Sequence, residues 1–216
     1  MMRRLTLLLA LCGLAYPQVA DKANERYKSK EGRDAISRTL DAHDRDNTQK
    51  PVELIAALEI KPGMTVADIG TGTGYMLPYL SKAVGAGGKV LAEDIFPDFL
   101  DRARDKARKA NLENVTFVQG TEKDPRLPAE VDLVLVLDAY HHFDWPEDMM
   151  KAIGKSLRPA GRVAIVDFFK AGFRDPEHIR LDRDDVIREI ESYGFRAVLR
   201  RVHTPDRQYM VIFEKK

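Results

Sequence analysis

Ten residues, Val66-Ala67-Asp68-Ile69-Gly70-Thr71-Gly72-Thr73-Gly74-Tyr75, constrain this chain more than any other stretch. A short apolar run ends in three alternating glycines, and helical spacing follows. The pattern reads as a buried strand, a tight turn and a helix start. Without a Cβ, Gly70, Gly72 and Gly74 take φ > 0 at no steric cost and let a ligand lie against bare backbone, with the unpaired N–H groups of the helix start facing it. A dinucleotide's pyrophosphate requires G-x-G-x-x-G after the strand. Here the spacing is G-x-G-x-G, and Asp68 stands two residues before the first glycine. A carboxylate there repels a pyrophosphate and attracts an ammonium group.

At 216 residues, 44% hydrophobic and 32% charged, the chain suffices for one domain with a sizeable core. Lys+Arg 35 against Asp+Glu 34 leaves a net charge of +1, which offers no general field for nucleic acid, and no nucleic-acid partner is expected. Arg3-Arg4 precede an apolar run from Leu5 to Leu14, and Gly13-Leu14-Ala15 supplies small residues suited to cleavage. Residues 1–20 therefore resemble a secretory signal peptide, with the periplasm as the expected destination. The run is short for a bilayer core of roughly 30 Å, so no stable membrane anchor is expected. The alternative is a cytoplasmic start followed by an apolar core helix. Cys12 is the only cysteine, so a processed chain has no disulfide, thiolate ligand or cysteine nucleophile.

Residues 21–50 are polar and charged, with Ile36 and Leu40 as their large aliphatic residues, and predict a short exposed helix or loop. Tyr27, Arg33 and Gln49 are its candidates to fold over the site. The main domain is placed at 51–216. Pro51 opens a helix through Leu58, ended by Lys61-Pro62-Gly63. The first strand is Thr65 to Ile69, and the helix after the glycines runs to Val84. Val90 to Glu93 forms the second strand, ending at Asp94, where a carboxylate suits a ribose diol. Pro97 opens the next helix. Val115 to Gln119 and Val131 to Leu137 are the third and fourth strands, the fourth apolar enough to be buried on both faces. A helix from Pro146 to Leu157, a turn at Pro159-Ala160-Gly161 and a fifth strand from Val163 to Phe168 follow. Phe169 to Leu181 reads as a surface loop, and Asp182 or Asp184 as the cap of a helix. Ala197 to Val202 and Tyr209 to Phe213 are so closely joined that they must pair antiparallel. Strand and helix alternate up to Phe168, which indicates a parallel sheet covered on both faces.

Together, the glycine turn, Asp68, Asp94 and the Leu157-Arg158-Pro159-Ala160-Gly161-Arg162 turn resemble the class I S-adenosylmethionine-dependent methyltransferases, over roughly Pro51 to Phe213. The resemblance implies a Rossmann-like, doubly wound α/β fold of seven strands, mostly parallel with the last antiparallel, and S-adenosylmethionine as cofactor. It implies that Asp68 binds the cofactor's amino group, directly or through water. The loop Gly70, Thr71, Gly72, Thr73 and Gly74 would pass its methionine moiety, Asp94 would hold the ribose, and Ile95 would pack on adenine. Family members often carry an acid after the third strand for the adenine amino group. Here Thr121 occupies that place and Glu122 follows. Asp138, at the end of the fourth strand, joins the cofactor set.

Methyl transfer is an in-line displacement from an activated cation, so positioning and exclusion of water matter most, and a base is optional. The first and fourth strands flank the point where strand order reverses, which brings Asp138-Ala139-Tyr140-His141-His142 beside the methyl group. For a hydroxyl or protonated amine acceptor, His141 or His142 is the candidate base, the alternative being that both form pocket wall. Tyr140 either points at the methyl group or packs. Phe143, Trp145, Phe169, Phe173 and His178 are candidates to line an acceptor pocket or to pack in the core. The Asn/Asp-Pro-Pro-aromatic tetrapeptide of amino methyltransferases acting on nucleic acids and glutamine is absent. The cysteines of arsenic methyltransferases are absent too. A small-molecule methyl acceptor is expected, with no metal ligand set. Two other classes stand beside this reading: a cofactor-binding module without catalysis, and a nicotinamide-dependent oxidoreductase, which Asp68 and the glycine spacing oppose.

Overall fold

A computed structural model describes residues 18–128 and 130–216. The expected signal peptide lies outside the described residues except for its last three positions. Among the described residues, no helix is long and apolar enough to cross a membrane.

Seven strands form one sheet: β1 (Thr65–Ile69), β2 (Lys89–Asp94), β3 (Val115–Gln119), β4 (Val131–Leu137), β5 (Leu157–Phe168), β6 (Phe195–Thr204) and β7 (Gln208–Lys215). Their order is β3-β2-β1-β4-β5-β7-β6. The strands β1 to β5 run parallel, and β7 is antiparallel to both β5 and β6. Chain order reverses between β1 and β4, whose register pairs Asp68 with Leu135 and Ile69 with Val136. A crevice at the carboxyl ends of these two strands is the place where such sheets bind ligands.

Residue alternation along each strand feeds two cores. On one face Ala67, Ile69, Val134 and Val136 meet Met149, Met150 and Ile153 of α7 (Pro146–Ser156) and Val186, Ile187 and Ile190 of α8 (Arg183–Ser192). On the other, Val66, Val90, Leu133 and Leu135 meet α4 (Pro51–Leu58), α5 (Leu77–Val84) and α6 (Pro97–Lys109) through Leu54, Leu58, Leu77, Leu80 and Ala103. The apolar run of β4 is buried on both sides, as its composition predicts.

Three expectations need correction. Residues 21–50 form a braced helical arm rather than an exposed lead-in. It comprises α1 (Asp21–Asn24), a 3-10 turn (Glu25–Tyr27), α2 (Lys30–Leu40) and α3 (Arg45–Gln49). Arg33 binds Asp98 at 2.8 Å, Lys106 binds Asp41 at 2.6 Å, and Tyr75 and Tyr79 both donate to Asp46. These contacts are polar and aperiodic, so hydrophobic spacing cannot reveal them. Secondly, β5 begins at Leu157, which pairs with Val131, and the residues before Arg162 bulge from the ladder. Thirdly, Phe169 to Leu181 is a surface segment with more structure than a plain loop: it carries two 3-10 turns, Lys170–Gly172 and Pro176–His178, leaves Arg174 to Glu177 exposed and buries Ile179.

The glycine turn takes the conformation its residues permit. Gly70, Gly72 and Gly74 have φ of +69°, +55° and +80°. At Gly74 a Cβ would lie 2.8 Å from Leu77 Cδ1 and 3.1 Å from Ala103 Cα. Strain and collision thus combine where the loop passes under α6. Gly74→Ala is expected to destabilise the protein by about 1–3 kcal/mol, read as a lower urea midpoint at unchanged slope. An unchanged midpoint would show that the turn accepts a side chain.

Candidate active site

A cavity of about 410 Å³ opens at the carboxyl ends of β1, β2 and β4. Its floor is Gly70, Thr71 and Gly72. Asp94 and Ile95 flank it on one side, Asp138, Ala139 and His142 on the other, with Glu122 at the edge. At Gly70 the chain runs so close to Ala139 that a Cβ would meet that residue's Cβ at 2.8 Å. Glycine there lets β1 and β4 share one floor.

The remaining expected site residues lie behind this surface. Asp68 is 2% exposed and accepts from the Thr71 hydroxyl at 2.7 Å, so it braces the glycine loop from beneath. Thr73 donates to Asp41 of the arm at 2.8 Å. Thr121 closes its own turn, its hydroxyl donating to the Asp124 carbonyl and accepting from the Asp124 N–H. Tyr140 is 1% exposed and donates to Glu189, which also binds Arg180, so its hydroxyl serves α8. His141 is buried and holds Asp167 through Nδ1 at 2.7 Å. Of the aromatic candidates, Phe143 lines the cavity, Phe169 packs on Tyr209, and Trp145 lies under the Lys123 ammonium.

The arm supplies the opposite wall. Tyr27 stacks on Phe96 at 6.0 Å and meets the His142 ring edge-on at 4.7 Å. Arg33 braces it, donating to the Tyr27 carbonyl while lying over Phe96. Gln49 donates to Asp138 at 2.6 Å, and Gln208 of β7 donates to the other oxygen at 2.6 Å. These two bonds hold Asp138 at φ +52°, in the left-handed region that aspartate enters more readily than most residues with a side chain. Asn24, Lys28, Leu40 and Arg45 line the cavity as well, and sequence reasoning missed them. The polar composition of residues 21–50 hid them. The Phe96 and Phe99 pair after Asp94 was a readable signal for the aromatic wall.

Electrostatically the site is a concentration of buried acid. Burial raises Asp68 to about 6, against a hydrogen bond from Thr71 and the charge of Arg45. Burial also raises Asp94 to about 6, although the Phe96 and Gly72 amides donate to it. Asp138 is raised to about 6 by burial and by Asp167. Glu93 lies well above the ordinary carboxylate range, through burial and the neighbouring Asp94. His142 is held neutral, its pKa pushed far down by burial and by His141.

Residues 66–161 match the methyltransferase domain family. Over 160 residues the chain is 28% identical to the ubiquinone/menaquinone biosynthesis C-methyltransferase UbiE of Vibrio vulnificus, a match covering 68% of this chain and 61% of that one. It is 31% identical over 129 residues to the arsenite methyltransferase of Halobacterium salinarum, covering 58% and 32%. The fold superposes on a SAM-dependent methyltransferase from Aquifex aeolicus with a TM-score of 0.79 and 28% identity, over 83% of this chain and 96% of that one. Residues 66–161 carry a methyltransferase domain, and the fold around it is that of a class I S-adenosylmethionine-dependent methyltransferase. It spans less than two thirds of the length of these two curated relatives.

The residues present fit the cofactor of that family. S-adenosylmethionine carries an ammonium and a sulfonium, and the cavity is bounded by carboxylates at Glu93, Asp94 and Asp138. Glu93 Oε1 is buried without a hydrogen-bond partner, while Oε2 accepts from the Gly70 N–H at 3.3 Å and so ties the end of β2 to the glycine turn. The Gly72 N–H donates to Asp94 and is not free for a phosphate. This arrangement also opposes a dinucleotide.

The raised acids have a consequence for the ligand-free protein. Asp68 and Asp94 keep their protons to about 6 in the fold, whereas an unfolded chain releases them near pH 4. Between those values the native state binds more protons, so stability falls as pH rises, by up to about 3 kcal/mol per group. The protein is expected to melt higher near pH 5 than near pH 7.5, and Asp94→Asn to narrow the gap. A melting temperature that climbs steadily across this window in the parent protein would contradict the assignment.

Proposed function

We propose that this chain transfers a methyl group from S-adenosylmethionine to a small, largely apolar molecule that occupies the cavity against the wall formed by Tyr27 and His142. The supporting observation is the pairing of an acidic, glycine-floored cavity at the β1/β4 crevice with an aromatic wall of Tyr27, Phe96, Phe99 and Phe143. When bound, S-adenosylmethionine supplies a methyl group on a sulfonium, open to in-line displacement by the acceptor's lone pair. Asp94 already accepts one backbone N–H on each oxygen and keeps lone pairs for a ribose diol. Asp68 contributes negative charge beneath the loop and fixes Thr71. Arg45, which lies over Tyr75 at 4.0 Å, is placed to meet the carboxylate of the amino-acid end. The arm and the aromatic wall exclude water from the reacting centre.

His142 is the side chain of the expected catalytic group that reaches the cavity. Its Nδ1 is engaged by Asn24 at 2.8 Å, which leaves Nε2 to activate an acceptor hydroxyl. A quinone-type or phenolic ring suits the aromatic wall, in line with the acceptor class named for the Vibrio relative. Arsenite suits the chain less well, because Cys12 is its only cysteine. We also propose that the N-terminal apolar segment directs export, which cell fractionation of the full-length chain would test.

Calorimetric titration with S-adenosylhomocysteine tests the cofactor site. Saturable binding is expected, weakened about 10- to 100-fold by Asp94→Ala and lost in Gly72→Val. Folded protein that binds neither S-adenosylhomocysteine nor S-adenosylmethionine would sink the proposal. Transfer of labelled methyl to a panel of phenols and quinols is the companion assay.

A further inference from the structure

His141 and His142 are consecutive in the turn after β4, and the loop after β5 brings His178 against both. Ring centroids lie 4.1 Å apart for His141 and His142, 5.2 Å for His141 and His178, and 5.4 Å for His142 and His178. One ring nitrogen from each lies within 4.8 Å of the other two. We propose that His141, His142 and His178 hold a divalent transition-metal cation of the zinc type beside the acceptor end of the cavity.

The hydrogen bonds around the rings assign their protons. Asp167 Oδ2 accepts the His141 backbone N–H at 3.0 Å, and Oδ1 accepts that of Phe168 at 2.8 Å. A carboxylate so placed accepts again from His141 Nδ1, at 2.7 Å, and the ring must carry its proton there. Its Nε2 is then a free lone pair. His142 is fixed by a separate chain of logic. Asn24 donates through Nδ2 to Asp144 Oδ2 and to the His142 carbonyl, both at 3.0 Å. Its Oδ1 is therefore the atom facing His142 Nδ1 at 2.8 Å, and that nitrogen must donate. The Nε2 of His142 is a free lone pair as well. Among the described residues the His178 ring has no hydrogen-bond partner, so it too has a lone pair to give. Three histidines, two of them oriented through Nδ1 by a carboxylate and a carboxylate-anchored amide, reproduce the outer support that metal-binding histidines receive.

Zinc takes nitrogen at about 2.0–2.1 Å, which sets ligand nitrogens about 3.4 Å apart in a tetrahedron. From within 4.8 Å of one another the three nitrogens need to close by at most about 1.4 Å, and His178 has the freedom to do so. It ends the short 3-10 turn Pro176–His178 and is half-buried, with Phe173 stacked on it at 5.0 Å and 10°. Phe168 packs against Phe173 and His141, lowering water access on that side. Three nitrogen ligands leave the fourth position open, the arrangement of catalytic rather than structural zinc. That the open position faces an acceptor rests on the methyltransferase reading, since His142 is the member of the trio that also lines the cavity. An acceptor hydroxyl bound there loses its proton to water more readily, and His142 then acts through the metal rather than as the base itself.

The test is titration of the untagged, chelator-treated full chain with zinc sulfate by calorimetry, and with cobalt(II) chloride by absorption spectroscopy. The expected result is one ion per chain, with the intensified visible bands of tetrahedral cobalt. His178→Ala should weaken binding at least 100-fold, and Asp167→Asn, which leaves all three ligands in place, about 10- to 100-fold. Folded protein that takes up no zinc, or that binds it equally well as His178→Ala, overturns the proposal. S-adenosylhomocysteine titration of the same samples reads the cofactor site independently, so failure of the metal site and failure of the methyltransferase reading are told apart.

Discussion

Four acidic residues are carried to the carboxyl edge of three neighbouring strands, Asp68, Glu93 and Asp94 buried there and Asp138 half-buried. Like charges confined in this way oppose folding unless they are protonated, hydrogen-bonded or met by a cation. The architecture around them supplies the first two. The glycine loop turns its Gly72 amide onto Asp94, Thr71 covers Asp68, and Gln49 and Gln208 together hold Asp138. What the protein supplies incompletely is the cation, since Arg45 is the basic side chain acting on both Asp68 and Asp138. A ligand with its own positive charges completes the set, and the same constraint that strains the free fold favours the cofactor.

The sheet and its site depend on different kinds of interaction. Apolar burial on two faces of β4 fixes the strands, and nothing in the site alters that. The site is instead finished by polar contacts between parts far apart in sequence: Asn24 with Asp144, Gln49 with Gln208, Arg33 with Asp98. Asn24 illustrates the coupling. One amide ties α1 to the residue before Trp145 and sets the orientation of the His142 ring.

This division explains what could be read from the sequence. Strand positions from Thr65 to Phe213 were legible because period-two and period-3.6 patterns report burial directly, and the glycines and Asp94 were legible because backbone geometry restricts which residues serve. Tyr140 and His141 show the limit. Their place after β4 was clear, yet their direction depends on Glu189 and Asp167, partners 49 and 26 residues away that no local pattern announces. Arg45 and Leu40 were invisible for a related reason, because a charged arm held by ion pairs reads as a solvated segment. His178 was noted as an aromatic in a loop, but its meeting with His141 and His142 needed the fold.

The roof of the cavity thus has a different physical character from its floor. The floor is backbone and sheet, insensitive to salt. The roof is fastened by exposed or half-exposed ion pairs, Lys106 with Asp41, Arg102 with Asp34 and Lys22 with Glu177. Such pairs are individually weak and screened over about 8–10 Å at moderate ionic strength. Rising ionic strength is therefore expected to slacken these outer ties first, while Arg33 with Asp98, Asn24 with Asp144 and Gln49 with Asp138, better shielded from solvent, go on holding the arm over the cavity.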